Sequence, residues 1–219
     1  MAQVSGGPET AAEGLGQNAV LIVLALTAIS LAPGIAIMVT CFPFIITVLS
    51  ILRQSIGLQQ SPPNMLIVSL AIFLTWFIMD PVLREAWQVA GQPLSEGRID
   101  LPEAFRLGIE PFRDFMLART DPDTLAALTE VAPQGMGPPE RLSVLVPSFM
   151  LSEITRAFEI GFLIALPFLI IDLVVSAVLM SMGMMMVPPV MVALPFKLAF
   201  FVVVDGWTLI AGALVRSYQ

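Results

Sequence analysis

Long apolar runs dominate this chain, and prolines, turns and a few charges interrupt them. No charged residue lies between Glu13 and Arg53. A membrane-spanning helix needs about 20 residues, so this run is too long for one ordinary span. Because Pro33-Gly34 and Pro43 fall within it, we expect a bent helix, or two half-helices, that continues to Arg53.

A second apolar run follows a polar stretch that contains one glycine and two prolines, a composition typical of a turn. This run predicts a helix from about Pro62 to Met79, ending at an Asp-Pro pair, with an amphipathic extension to Ala90 as the alternative. Residues 19–90 are therefore predicted to form a first helical hairpin. Residues 1–18 form a polar tail that lacks the basic and apolar regions of a signal peptide. Either none exists or it has been removed.

Most of the charge of the chain is concentrated in residues 91–145, which contain no long apolar run. Two short helices are predicted there, near Pro102–Leu117 and near Asp121–Thr129. Pro102 and Pro122 suit a first helical turn, and Asp121 suits an N-cap. We expect a small helical extramembrane subdomain, too short to bury a large core of its own.

Residues 146–219 predict a second hairpin, with helices from about Val146 to Met182 and from about Pro188 to Arg216. Between them lies a methionine-rich run, MSMGMMMVPP over Met180–Pro189. Methionine is flexible and polarizable, while glycine and proline weaken a helix. This deformable apolar segment is either a bend in a core or a soft seal. The fold class predicted is all-α, a membrane-type protein of long bent helical hairpins.

The amino-acid composition argues against several classes of function. The chain is 57% hydrophobic, 12% charged and carries a formal net charge of −7, whereas a soluble domain is roughly 25% charged. An acidic balance argues against a nucleic-acid partner. The absence of histidine excludes Ser-His-Asp triads, HExxH zinc sites and histidine proton relays. The lone cysteine, Cys41, cannot form an internal disulfide, and we predict neither an enzyme nor a bound cofactor or metal.

Charged residues inside the apolar second hairpin are the remaining polar feature. A charge at the bilayer centre costs about 2.5–3.5 kcal/mol, so these residues must be paired, face a water-filled interior or lie outside hydrocarbon. Lys197 has no acidic neighbour three or four positions away, and Glu153, on another helix or another copy, is the first candidate partner. A packing pair within the chain and a proton or ion path are the alternatives. Asp205, followed by Gly206-Trp207, is expected to mark a helix end. Glu153, Arg156 and Glu159 repeat every three residues, so they share one helical face. Besides Glu153 and Lys197, the charges predicted to be buried are Arg156, Glu159, Asp172 and Asp205.

A set of short blocks along the chain is shared with one known family. The blocks are Leu26–Pro33 (LTAISLAP), Leu49–Gln54 (LSILRQ), Gln59–Asn64 (QQSPPN), Phe73–Pro81 (FLTWFIMDP), Phe149–Glu153 (FMLSE), Ala157–Phe162 (AFEIGF), Pro167–Leu173 (PFLIIDL), Ser181–Pro189 (SMGMMMVPP), Leu194–Lys197 (LPFK) and Val204–Trp207 (VDGW). On these blocks the chain resembles the FliP family, the core export-gate protein of flagellar type III secretion, to which a virulence-system counterpart is related.

The resemblance implies a subunit of a closed export gate that passes unfolded flagellar, or virulence, proteins across the bacterial inner membrane. Members of this family assemble as five copies with FliQ-type and FliR-type subunits, and a FlhB-type switch protein is a further expected partner. Much of such a complex lies on the periplasmic side, within the flagellar basal body. The alternative, a secondary transporter or ion channel subunit, rests on the proline-broken helices.

The resemblance also implies roles for single residues. Met184, Met185 and Met186 match the methionine gasket of the family, a ring of side chains that closes the pore and yields around an unfolded substrate. Glu153 and Lys197 match its inter-subunit ion pair. These roles come from the resemblance and not from the composition or spacing of the chain.

Overall fold

The structure, a computed structural model, is helical wherever it has regular structure among the residues that it describes, which confirms the all-α class. The chain divides into two compact units, one up to Met38 and one from Val39 to Gln219. The described residues are 22–23, 26–27, 30–31, 33–58, 62–133, 141–184 and 186–218.

In the first unit, the described residues up to Met38 are helical, and their large apolar side chains are exposed. Residues 33–38 are helical and include Pro33 and Gly34, but Ala32 lies outside the described residues, so a bend at this pair stays a prediction. Residues 39–41 are not helical, and the next helix begins at Phe42 with Pro43 as its second residue. A proline in the first turn of the next helix costs no hydrogen bond, because the N–H it lacks would have no helical partner.

Helix α1 (Phe42–Ile56) supplies much of the core of the second unit. It ends at Gly57, whose φ of 91° lies in the left-handed region that glycine adopts without steric cost. Helix α1 packs mainly against the long helix α6 (Leu142–Ser181). Its buried side chains include Phe44, Ile45, Val48, Leu49 and Leu52.

Gly161 of α6 allows α1 to approach closely. A Cβ added at Gly161 would lie 2.4 Å from Cδ1 of Ile51 and 3.2 Å from its Cβ. Gly161→Ala should therefore lower the free energy of unfolding by about 1–3 kcal/mol, because overpacking displaces well-packed neighbours. Denaturant unfolding in detergent measures this loss, and adding Ile51→Ala should recover part of it. Wild-type stability of Gly161→Ala would show that the two helices are not in close contact.

Helix α2 (Asn64–Ala86) continues through Pro81 and then through a π-helical turn, Trp87–Gly91, into α3 (Gln92–Ser95). The predicted extension to Ala90 is therefore confirmed, and the predicted end before the Asp-Pro pair is wrong. Pro81 removes one helical hydrogen bond, but packing on both sides of it keeps the helix continuous. Met79, for example, is 1% exposed.

The charged segment contains α4 (Leu101–Arg119) and α5 (Pro122–Val131), close to the predicted helices. The carboxylate of Asp100 accepts a hydrogen bond from the amide of Glu103, and that of Asp121 accepts one from the amide of Thr124. The N-cap predicted at Asp121 and the first-turn prolines are thus confirmed. Hydrogen bonds from the Thr124 hydroxyl and amide hold the pKa of Asp121 below its usual value.

The last part of the chain forms α6, then α7 (Pro189–Val203) and α8 (Gly206–Arg216). The single helix predicted over 188–216 is wrong, because α7 and α8 are bent by 62° at a break. Within the described residues, α6 and the helix over 64–95 are long and apolar enough to cross a membrane, and the α7–α8 pair is a third candidate. The predicted division into two hairpins and a polar subdomain stays a prediction.

Candidate functional site: the methionine loop and two buried ion-pair clusters

The methionine loop, residues 180–188, closes α6 and leads into α7. The amides of Gly183 and Met184 donate to the carbonyls of Met180 and Leu179, both at 3.0 Å. With Gly183 at a φ of 75°, this is the Schellman ending that satisfies the last free carbonyls of a helix. The loop is therefore held by its own backbone at the end of α6.

The thioethers of this loop that the structure describes are exposed. Met182 is 66% exposed, Met186 is 98% exposed and Met184 is 44% exposed, whereas Met79 and Met116 are 1% and 0% exposed in the core. Met185 lies outside the described residues. Large apolar side chains grouped on a surface mark contact with lipid, a partner or a ligand.

Two of these thioethers also line a groove between α6 and α7. Met182 and Met184 lie at one end of this groove, which has a volume of about 560 Å³. All of its lining side chains are aliphatic, aromatic or thioether groups, so it offers no side-chain hydrogen-bond donor. The other walls are formed by Ile170, Ile171, Val174, Val175, Val178, Leu179, Val192 and Phe196.

Lys197 of α7 is the centre of the first buried ion-pair cluster, and it is 4% exposed. Its Nζ donates to Oδ2 of Asp172 at 2.6 Å and to the carbonyl of Ser55 at 3.0 Å. One ammonium group thereby joins α7 to α6 and to the end of α1. The other oxygen of Asp172, Oδ1, is buried and has no hydrogen-bond partner among the described residues.

Glu153 of α6 is the centre of the second cluster, and it is 0% exposed. Nε of Arg119 lies 3.2 Å from its Oε1, Nη1 of Arg156 lies 3.8 Å from the same oxygen, and the hydroxyl of Tyr218 donates to Oε2. Arg119 also donates to the carbonyl of Ser217 at 2.8 Å and lies 4.1 Å from the ring centroid of Tyr218. Burial and the charge of Glu153 raise the pKa of Tyr218.

This second cluster fastens three separate parts of the chain together. Arg119 ends α4 of the charged segment, Glu153 lies in α6, and Tyr218 follows α8. A buried charge is tolerated only where partners compensate it, and here two guanidinium groups and a phenol do so. The cluster therefore fixes the charged segment and the end of the chain against the long helix.

Within one chain, Glu153 and Lys197 contact different partners: Glu153 contacts two arginines, and Lys197 contacts Asp172. Arg156 does contact Glu153, as expected from their spacing. A pairing of Glu153 with Lys197 between copies stays a prediction, and it would have to replace the contacts just described.

The other charges predicted inside the hairpin are less enclosed than expected. Glu159 and Asp205 are exposed in this chain, and Arg156 and Asp172 are partly exposed. Asp205 has a φ of 49° at the break between α7 and α8, so the helix end predicted there is confirmed.

Sequence reasoning missed two members of the second cluster, Arg119 and Tyr218. The Arg119 contact to Glu153 spans 34 positions and the Tyr218 contact spans 65, so no helical spacing indicates either. Tyr218 is the single tyrosine of the chain, which is the one signal that could have drawn attention to it. Among the described residues, no group of acidic or cysteine side chains could hold a metal ion.

The fold and these sites define a class: an all-helical, membrane-type protein with an exposed methionine loop between the long apolar helix α6 and the shorter apolar helix α7. The FliP family matches residues 25–214 of the sequence, and the chain belongs to this family.

Relatives named flagellar biosynthetic protein FliP are similar over most of their length. The protein of Caulobacter vibrioides is 51% identical over 209 residues, covering 94% of this chain and 79% of the relative. The protein of Bacillus subtilis is 48% identical over 206 residues, 92% of each chain. The protein of Aquifex aeolicus is 44% identical over 207 residues, 92% of this chain and 87% of the relative.

Proposed function

We propose that this chain takes part in flagellar biosynthesis as a pore-forming subunit of a type III export gate. Several copies, five by the family resemblance, would surround one channel through which unfolded proteins leave the cytoplasm. The observation that carries this proposal is the exposed methionine loop at the end of the long apolar helix α6. Membership of the FliP family supports it.

The exposed loop suits a closure that must deform. A ring of polar side chains would admit water and ions, whereas a rigid aromatic ring could not adapt to the varied side chains of an unfolded substrate. Unbranched thioethers are apolar and conformationally adaptable. With Met186 98% exposed, each copy has a flexible apolar side chain available to fill a shared opening.

The apolar surface of the single chain supports assembly with other copies or with small helical subunits. Within the most apolar stretch of 18 residues in α6, only 11% of the residues are buried. Leu163, Leu173 and Val203 are 62%, 70% and 84% exposed. Apolar patches of this extent need lipid or another protein to cover them. The proposed partners are further copies and FliQ-type, FliR-type and FlhB-type proteins.

A second candidate function, a secondary transporter or channel subunit, is favoured by one observation. The break between α7 and α8 places the carboxylate of Asp205 at a discontinuous apolar helix, an arrangement that transporters use for ion and substrate sites. The mass of the detergent-extracted complex separates the two functions. A gate subunit should be found in a large multiple of its 23.6 kDa chain, and a transporter as a monomer or dimer.

The closure itself is tested by replacing Met184, Met185 and Met186 together with alanine. The shorter side chains should leave the constriction open, so small solutes should cross membranes that contain the variant complex. Solute flux into vesicles measures this. The same three positions changed to leucine, which keeps apolar volume, should remain close to wild-type tightness. An alanine variant as tight as the wild type would contradict a methionine seal.

A further inference from the structure

We propose that the methionine loop is a site of oxidative modification, at which hydroperoxides convert its thioethers to sulfoxides and release the loop from the groove between α6 and α7. The contrast within one chain points to this. Met182 and Met186 are 66% and 98% exposed, whereas Met79 and Met116 are 1% and 0% exposed. Oxidant therefore has direct access to the loop and not to the core.

The chemistry needs only a peroxide as the second reactant. A lone pair of the thioether sulfur attacks one oxygen of hydrogen peroxide, and the O–O bond breaks as an S–O bond forms. The sulfur is oxidised by two electrons and the peroxide is reduced. The departing hydroxide takes the proton from the oxygen now bound to sulfur, which gives water and the neutral sulfoxide. The product is methionine sulfoxide, a polar and chiral side chain that sulfoxide reductases return to the thioether.

Met184 connects the modification to a change in structure. It is 44% exposed and lines the groove together with Leu179 and Met182. A sulfoxide oxygen is a strong acceptor, but the side chains described around the groove include no hydrogen-bond donor. Two nearby amides, those of Gly183 and Met184, already donate to the carbonyls of Met180 and Leu179. The oxidised side chain is therefore better accommodated in water than in the groove.

Leaving the groove should loosen the backbone of the loop. Leu179 and Met184 both line the groove, and they occupy the two positions of this helix ending between which an apolar contact commonly forms. Once Met184 is drawn to water, we expect the two hydrogen bonds of this helix ending to open more often. In the proposed gate, the same event would replace an apolar closure with a wetted one, a consequence that rests on the proposed function.

The modification is tested on the detergent-extracted full-length protein with hydrogen peroxide, by following each methionine with peptide mass spectrometry. Met182 and Met186 should be oxidised at least about ten times faster than Met79 and Met116, because exposure controls susceptibility. Equal rates for the four methionines would overturn the proposal. The buried pair serves as a control inside the same molecule.

The structural response is tested by hydrogen exchange of the Gly183 and Met184 amides before and after oxidation. Exchange should become several-fold faster and return to its starting rate after treatment with methionine sulfoxide reductases. Met184→Leu, which keeps the apolar contact but cannot form a sulfoxide, should abolish the effect. Met65→Leu, a change at another exposed methionine (80% exposed), should not. Unchanged exchange in the fully oxidised wild type would overturn loop release.

Solute flux into vesicles tests the modification site separately from the proposed function as a pore-forming subunit. Selective oxidation with faster exchange, accompanied by no leak, would support the modification site and contradict its role in a gate. Selective oxidation with a leak that the reductases reverse would support both.

Discussion

Glu153→Ala is expected to be among the most destabilising single substitutions in this chain, lowering the free energy of unfolding by about 3–5 kcal/mol. The glutamate is 0% exposed, and its removal leaves the guanidinium of Arg119 buried without its carboxylate. The hydroxyl of Tyr218 loses its acceptor at the same time. Denaturant unfolding of the purified protein in detergent measures the loss.

Two variants calibrate the Glu153 result. Glu153→Gln keeps the shape and can still accept hydrogen bonds, so it should lose less, about 1–3 kcal/mol. Glu159→Ala changes an exposed glutamate on the same helix and should stay within about 0.5 kcal/mol of wild type. If Glu153→Ala were as stable as Glu159→Ala, the cluster would not hold the charged segment to α6.

Asp172→Ala is expected to cost more than Lys197→Met, although each removes one member of the same pair. The side chain of Lys197 is 5% exposed and that of Asp172 is 33% exposed. Removing Asp172 leaves a buried ammonium with one carbonyl, at a cost of about 3–5 kcal/mol. Removing Lys197 leaves a carboxylate on a side chain that is one-third exposed. A change of rotamer can turn this carboxylate toward water, so that loss should be smaller. Unfolding in detergent again provides the comparison.

The double variant Asp172→Leu with Lys197→Met is the control for that asymmetry. Two apolar side chains of similar size leave no uncompensated charge, so the double variant should be more stable than Asp172→Ala and close to wild type. Two single losses of equal size, or a double variant no better than its parents, would show that the ion pair does not act as one buried unit.

The parts of the fold that local chemistry dictates could be predicted from the sequence. Asp121 and Pro122 define a helix start through contacts within one turn, and Asp205-Gly206-Trp207 indicated a helix end. Pro81 was misleading because a proline weakens a helix without always ending it. At Pro81, packing with distant residues keeps the helix continuous, and a single sequence does not show that packing.

The candidate site divides in the same way. The residues of the methionine loop are contiguous in sequence, so its position can be read directly from the local run of methionines, glycine and prolines. The partners of Lys197 and Glu153 cannot, because the contact to Asp172 spans 25 positions and that to Arg119 spans 34. Helical spacing reveals neighbours three or four residues apart, and it therefore identified Arg156 and no other partner.

The most direct test of a shared channel is disulfide cross-linking of a chain in which Met186 is changed to cysteine and Cys41 to alanine. If the loops of several copies meet around one axis, mild oxidation of the membrane-embedded complex should give a covalent dimer in high yield. A cysteine at Glu130, exposed on α5, serves as the matched control and should cross-link weakly. A Met186→Cys chain that remains monomeric, or that cross-links no better than the Glu130→Cys chain, would contradict the convergence of methionine loops on which the export-gate proposal depends.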